Sequence, residues 1–342
     1  MGDKNIVWIN NIRAICILAV YFVHVEINYG YEHDFFDALL HPFYVNAFFF
    51  VSGYLMLRKQ LSDPIINQKA IEYIMGGGKI LGSNILYRII IPSVIFSTIE
   101  YLPAVILRGG SVSFTEMLYK TVGGGTYWFT SALVVAQLLF LLLLLSRIHN
   151  VWFYSVISIV VGIAATYFIT NDIWITGRNW WAYKQGTISM IFLALGGIYW
   201  RYEQHINKLL NWFVMLPLLA VYTYIVGWHY DITECVISTL HLNALGIVIS
   251  VLICFMLPRM LRNFKPVESI TYIGMHSICF YLMSGALPII ISMIIKHILG
   301  VNAIGYTITL IACLSLAYLV TCIINRWLPW LLDLRVICKK IK

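Results

Sequence analysis

Leu133-Val-Val-Ala-Gln-Leu-Leu-Phe-Leu-Leu-Leu-Leu-Leu145 contains one polar side chain, Gln137, and no charge. Leu245–Leu257 is similar, with Ser250 as its most polar residue. Runs of this kind are not the alternating pattern of barrel strands, which place an apolar residue at every second position. They fit helices solvated by hydrocarbon. The whole chain supports that reading. Of its 342 residues 61% are hydrophobic and only 11% charged, with a mean hydropathy of +0.83. Soluble domains average about 25% charged residues. A water-soluble fold of this length could not hide so much apolar surface.

Working outward from these runs, hydropathy predicts an all-α, polytopic membrane helix bundle of about ten transmembrane helices. The expected spans are ~14–30, 41–57, 86–107, 127–146, 151–170, 186–200, 209–228, 237–258, 270–295 and 304–325. The ninth is long enough to tilt or break near Gly285 and Pro288. Segment 58–85, with Gly76-Gly77-Gly78, is expected to hold a surface helix. Residues 1–342 read as a single membrane-embedded domain with no soluble domain. Met1–Val25 has a basic and then an apolar region like a signal peptide. His24 and Glu26 follow instead of a small-residue cleavage site, so it reads as a retained first span.

The net charge is +8, which in a soluble protein would point to nucleic acid. Here the cations flank the spans. With the N-terminus inside, Arg108, Lys120, Arg178, Lys184 and Lys296 fall outside, and the other 18 of the 23 Lys and Arg fall inside. That bias predicts a multi-pass plasma (inner) membrane protein with both termini cytoplasmic and with the bilayer, not nucleic acid, as its environment. Seven cysteines, odd in number and irregular in spacing, fall mostly in apolar runs. They suggest neither a disulfide framework nor a zinc site, and no metal is expected.

Polar residues inside spans carry the functional information. Arg13 and His24 are eleven residues apart, which on a helix brings them within about 20° of one face and about 16 Å apart along the axis. A mid-span imidazole needs protein or a water-filled cavity beside it, so His24 is either bonded to a neighbouring helix or functional. Glu26 lies about 200° from His24 and reads as an interfacial carboxylate. Ser52-Gly53 is not a nucleophile elbow, because it lacks the Gly-x-Ser-x-Gly frame; small residues there suit close helix packing. Arg88 precedes Pro92, and Glu100 lies in the outer half of the third span. Trp128 opens the fourth, and His241 and Asn243 occupy the outer part of the eighth. Each could line a cavity or serve as an anchor, belt or interhelical bond.

Several motifs together resemble one family. Trp8-Ile9-Asn10-Asn11-Ile12-Arg13, ten residues and then His24 is similar to the opening of the acyltransferase-3 family. Phe48-Phe49-Phe50-Val51-Ser52-Gly53-Tyr54-Leu55 is similar to its second-span signature, and Tyr87-Arg88-Ile89-Ile90-Ile91-Pro92 to its basic-then-proline approach to span three. Tyr127-Trp128-Phe129, Gly196-Gly197-Ile198-Tyr199 and Ile273-Gly274-Met275-His276-Ser277 resemble later motifs. Ile85 stands where the family often has a first basic residue, and Met283-Ser284 lies where a histidine is frequent.

The resemblance implies a membrane acyltransferase that moves an acyl group, acetyl in many members, from cytoplasmic acyl-CoA to a sugar hydroxyl. The acceptor would be a cell-surface glycan or its lipid-linked precursor. It maps the family's histidine and basic residue onto His24 and Arg13. Histidine suits the task of taking a hydroxyl proton near neutral pH, and a forked guanidinium suits a polyanionic donor. His24 is therefore the expected general base, with a covalent acyl-histidine route also open. Arg13 would orient the donor, and Arg88 and Lys79 are secondary contacts for its phosphates. Ser52, Glu100, Trp128, His241 and Asn243 are expected to line the cavity. A transporter or flippase for a glycan or lipid is the rival reading; inverted repeats would favour it.

Overall fold

The computed structural model describes residues 7–30, 35–62, 76, 78–107, 113–146, 148, 150–170, 177–228 and 244–336. Among them the chain is helical and contains no strand. The helices are α1 (Val7–Tyr29), α2 (Phe35–Tyr44), α3 (Asn46–Ser62), α4 (Lys79–Ile85), α5 (Ile91–Leu107), α6 (Phe114–Thr121), α7 (Trp128–Leu144) and α8 (Val151–Thr170). They continue with α9 (Tyr183–Ile188), α10 (Met190–Leu209), α11 (Trp212–Trp228), α12 (Ala244–Leu261), α13 (Glu268–Met275), α14 (Ser277–Met283), α15 (Ala286–Leu299) and α16 (Ala303–Trp327). A π-helical turn, Leu86–Ile90, joins α4 to α5.

Among the described residues, five helices are long and apolar enough to cross a membrane, and seven if each of two bent pairs counts as one span. Two shorter apolar helices, Trp128–Leu144 and Ile247–Leu261, occupy further stretches expected to span. The expected eighth span is described only from Ala244, and of the segment expected to carry a surface helix residues 63–75 and 77 lie outside the described residues. The expected break in the ninth span is present: α14 and α15 are bent by 51° at Ser284-Gly285. A further interruption at His276 separates α13 from α14.

The first helix begins at Val7, well before the apolar run does. Hydropathy falls at Asn10, Asn11 and Arg13, but the helix continues because those residues meet protein. Trp8, Ile9 and Ile12 are buried, and the Asn11 side chain donates to the carbonyls of Leu261 (3.1 Å) and Phe264 (2.9 Å). Arg13 is thus held inside the helix, about 9 Å along its axis from Val7, and His24 lies in its last turns. Glu26, expected at an interface, is 3% exposed and buried in the bundle.

Around α1 pack α13, α14, α15 and α16 on one side and α2, α3 and α12 on another. The closest crossing is α3 on α10. A Cβ on Gly53 would come within 1.9 Å of the Leu193 carbonyl oxygen, and one on Gly196 within 1.9 Å of the Phe50 carbonyl oxygen. Each helix offers a glycine where the other's backbone arrives, as in small-residue crossings within membranes. This crossing fixes Phe48–Ser52 against the centre of the bundle. Helices α8 and α16 instead leave large apolar side chains such as Trp152, Tyr167, Ile304 and Leu319 exposed on the outside.

Candidate active site

Two cavities meet at the centre of the bundle. The larger, about 610 Å³, is lined by Arg13 and Ser52 together with Asn84, Arg88, Gln137, His276 and Asp333. The smaller, about 70 Å³, is lined by His24, Tyr44, Thr126, Tyr127, Trp128, Ser284 and Gly285. Phe48, Phe129 and Tyr281 line both. The residues placed on one face of the first helix thus open into adjoining chambers.

The His24 chamber is shaped by the break between α14 and α15. A break frees carbonyls at the end of the first helix, and in an apolar bundle they need donors. Tyr21 donates to the Phe280 carbonyl (2.9 Å), Tyr127 to the Leu282 carbonyl (2.5 Å) and His24 to the Ser284 carbonyl through Nδ1 (2.7 Å). A carbonyl oxygen can only accept, so Nδ1 carries the proton and Nε2 of the neutral ring presents a lone pair. Asn28 closes the turn by donating to the His24 carbonyl at 2.7 Å. Glu100 reaches the same break from α5: its carboxylate lies against the Tyr127 hydroxyl and the Ala286 backbone N–H, close to Gly285. Trp128 lies in the wall of the chamber, at the first turn of α7.

The Arg13 chamber is edged by charge. Among the described residues Arg13 is in no ion pair, and it is partly buried. Arg88, by contrast, already donates Nε to Asp333 at 2.9 Å, and Arg335 grips the same carboxylate with Nη2 at 2.7 Å and Nε at 2.8 Å. Arg335 first, and then Arg88, hold the Asp333 carboxyl well below the usual carboxylate range, and Asp333 in turn raises Arg335. Arg335 also donates to Asn84 at 2.9 Å, which ties the chain beyond α16 to α4. Ile85, at the place of the family's first basic residue, is buried. Lys79 is exposed at the start of α4 and lines neither chamber. His241 and Asn243 lie outside the described residues.

Sequence reasoning did not single out Tyr21, Tyr281 or Asp333. Tyr21 is three residues before His24, so both face the same neighbours, a spacing visible in the sequence. The pairing of Asp333 with Arg88 joins residues 245 positions apart, and no local pattern reveals it. A third cavity, about 450 Å³, lies apart from these two, between Trp8, Tyr54, Arg58, Trp200, Glu203 and Arg262.

The chain matches the model of the acyltransferase-3 family, described as an acyltransferase domain, over residues 6–326. No curated protein and no solved structure matches it. The match takes in both chambers and nearly the whole chain. The protein belongs to the acyltransferase-3 family and is a multi-pass membrane acyltransferase.

Proposed function

We propose that this acyltransferase takes a short acyl group, acetyl in the first instance, from cytoplasmic acyl-CoA and transfers it to a hydroxyl of a cell-surface glycan or lipid-linked sugar precursor. The observation that carries the reading is the bond from His24 Nδ1 to the Ser284 carbonyl. It leaves Nε2 as a proton acceptor at a small chamber joined by shared walls to one that holds a partly buried arginine in no ion pair among the described residues. A partly buried cation is costly unless it is paired, and a polyanionic donor would supply counter-charge to Arg13. The 18-to-5 distribution of Lys and Arg favours a cytoplasmic position for the Arg13 end of the first helix.

In this mechanism the nucleotide end of the donor lies at the mouth of the Arg13 chamber, and its thin arm carries the thioester towards His24. The acceptor hydroxyl gives its proton to Nε2 as its oxygen attacks the thioester carbon. The new C–O bond forms, the C–S bond breaks, and the leaving sulfur takes the proton back from the imidazolium. Low polarity around the chamber strengthens each of these charge interactions. Arg13 contributes by fixing the donor, and its forked guanidinium suits phosphate oxygens.

Thiol release separates this reading from a transporter. Membranes containing the protein, given acetyl-CoA and the glycan acceptor, should release free thiol in step with acylation of the acceptor. Uptake of glycan with no thiol release would reject acyl transfer.

A further inference from the structure

The walls shared by the two chambers are three aromatic rings from three helices: Phe48 on α3, Phe129 on α7 and Tyr281 on α14. The Phe129 centroid lies 5.2 Å from that of Phe48 and 5.1 Å from that of Tyr281. All three side chains are buried. The rings are held in place from behind. Phe49 lies 5.3 Å from Phe129 on the α3 side, and Tyr127 lies 5.9 Å from Tyr281. The Tyr281 hydroxyl meets the backbone N–H of Phe129, one of the first-turn donors that a helix leaves without an internal partner. Phe48 is further fixed by the glycine crossing of α3 on α10. The partition is therefore tightly set, and a thioester must pass it to reach His24.

Beyond the rings the space is small. The His24 chamber, at about 70 Å³, is little more than a tenth the size of the Arg13 chamber at about 610 Å³. Of the acyl groups carried by acyl-CoA, acetyl asks least of that smaller space. A longer chain presses further against rings that their neighbours hold. We infer that Phe48, Phe129 and Tyr281 form the acyl-length filter of this acyltransferase, admitting a two-carbon acyl thioester to His24 and rejecting longer chains. This inference rests on the reading of His24 as the base and of the Arg13 chamber as the donor site. It assigns selectivity to residues that take no part in the proton transfer.

The test compares acetyl-, butyryl- and hexanoyl-CoA as donors in thiol-release assays on the full-length protein, in wild type, Phe129→Leu and Phe48→Leu. Leucine keeps the position apolar while removing the ring. In wild type, kcat/KM should fall steeply with chain length, by about tenfold or more per step, since a single methylene in a tight pocket is worth roughly 10- to 200-fold. In both variants the acetyl-to-hexanoyl ratio of kcat/KM should narrow by about tenfold or more. Should Phe129→Leu fail to accumulate, Phe48→Leu carries the comparison. Binding is read separately, as thermal stabilisation by non-reacting ketone analogues of acetyl- and hexanoyl-CoA. Discrimination between the analogues in a protein without turnover would reject His24 as base and keep the filter. Equal use of acetyl and hexanoyl donors by wild type, equal stabilisation by the two analogues, or unchanged ratios in the variants would overturn it.

Discussion

Around Arg13 the walls carry charged side chains, whereas around His24 they carry backbone carbonyls met by tyrosine and histidine. The first chamber is wide, at about 610 Å³, and its ion pairs reach an exposed surface, with the Arg88 side chain 62% exposed. The second is small, and its polar groups are bonded to the broken end of α14. Charges at an exposed mouth can adjust to a large, flexible, anionic ligand, but screening limits what each pair is worth. Carbonyl-anchored donors cannot adjust; they hold atoms in one geometry, which chemistry requires. In the proposed mechanism the contrast divides the work: the first chamber would bind the donor, and the second would carry out the transfer.

The division predicts kinetic effects of different size and kind. Arg13→Ala should raise KM for acyl-CoA by about 10- to 100-fold, the range of a hydrogen bond to a charged group, with kcat at saturation largely kept. Arg13→Lys should fall between, since charge survives and the fork does not. An unchanged KM in steady-state assays would take Arg13 out of donor binding. Tyr127→Phe should act on the other side. It leaves the Leu282 carbonyl and Glu100 without the hydroxyl, so kcat should fall by roughly three- to tenfold with KM for acyl-CoA unmoved. A shift in KM alone would break the division.

The smallest effect belongs to Asp333→Asn, because partly exposed pairs contribute about 0–1 kcal/mol. KM should change by less than about fivefold. The pH dependence has a definite sign. The folded Asp333 carboxyl is held below its unfolded value of about 3.9. Its contribution is therefore fully present above that value and is lost as pH falls through the lower folded one. Melting scans of wild type and Asp333→Asn should converge only under strongly acidic conditions. Convergence near neutral pH would contradict the assignment.

Much of this was legible in the sequence. Apolar runs identified the helices, and the eleven-residue spacing placed Arg13 and His24 on one face. Gly285 and Pro288 marked the break that supplies the Ser284 carbonyl. The first helix extends ahead of the apolar run through polar Asn10 and Asn11, and their buried surroundings explain why it continues through them. The pairing of Arg88 with Asp333 and the meeting of Phe48, Phe129 and Tyr281 depend on contacts between distant segments. Local pattern has no access to such contacts.

The central claim is that His24 is the base, and its own substitution tests it most directly. His24→Asn keeps an N–H near the position of Nδ1, so the Ser284 carbonyl retains a donor, while no side-chain base remains. His24→Ala removes both. At matched protein levels and saturating acetyl-CoA, both variants should lose about 10²- to 10⁴-fold in thiol release, the usual worth of a general base. KM for acetyl-CoA should stay near that of wild type. Near wild-type turnover in His24→Asn would show that the histidine only fastens the broken helix, and that the proton is taken elsewhere.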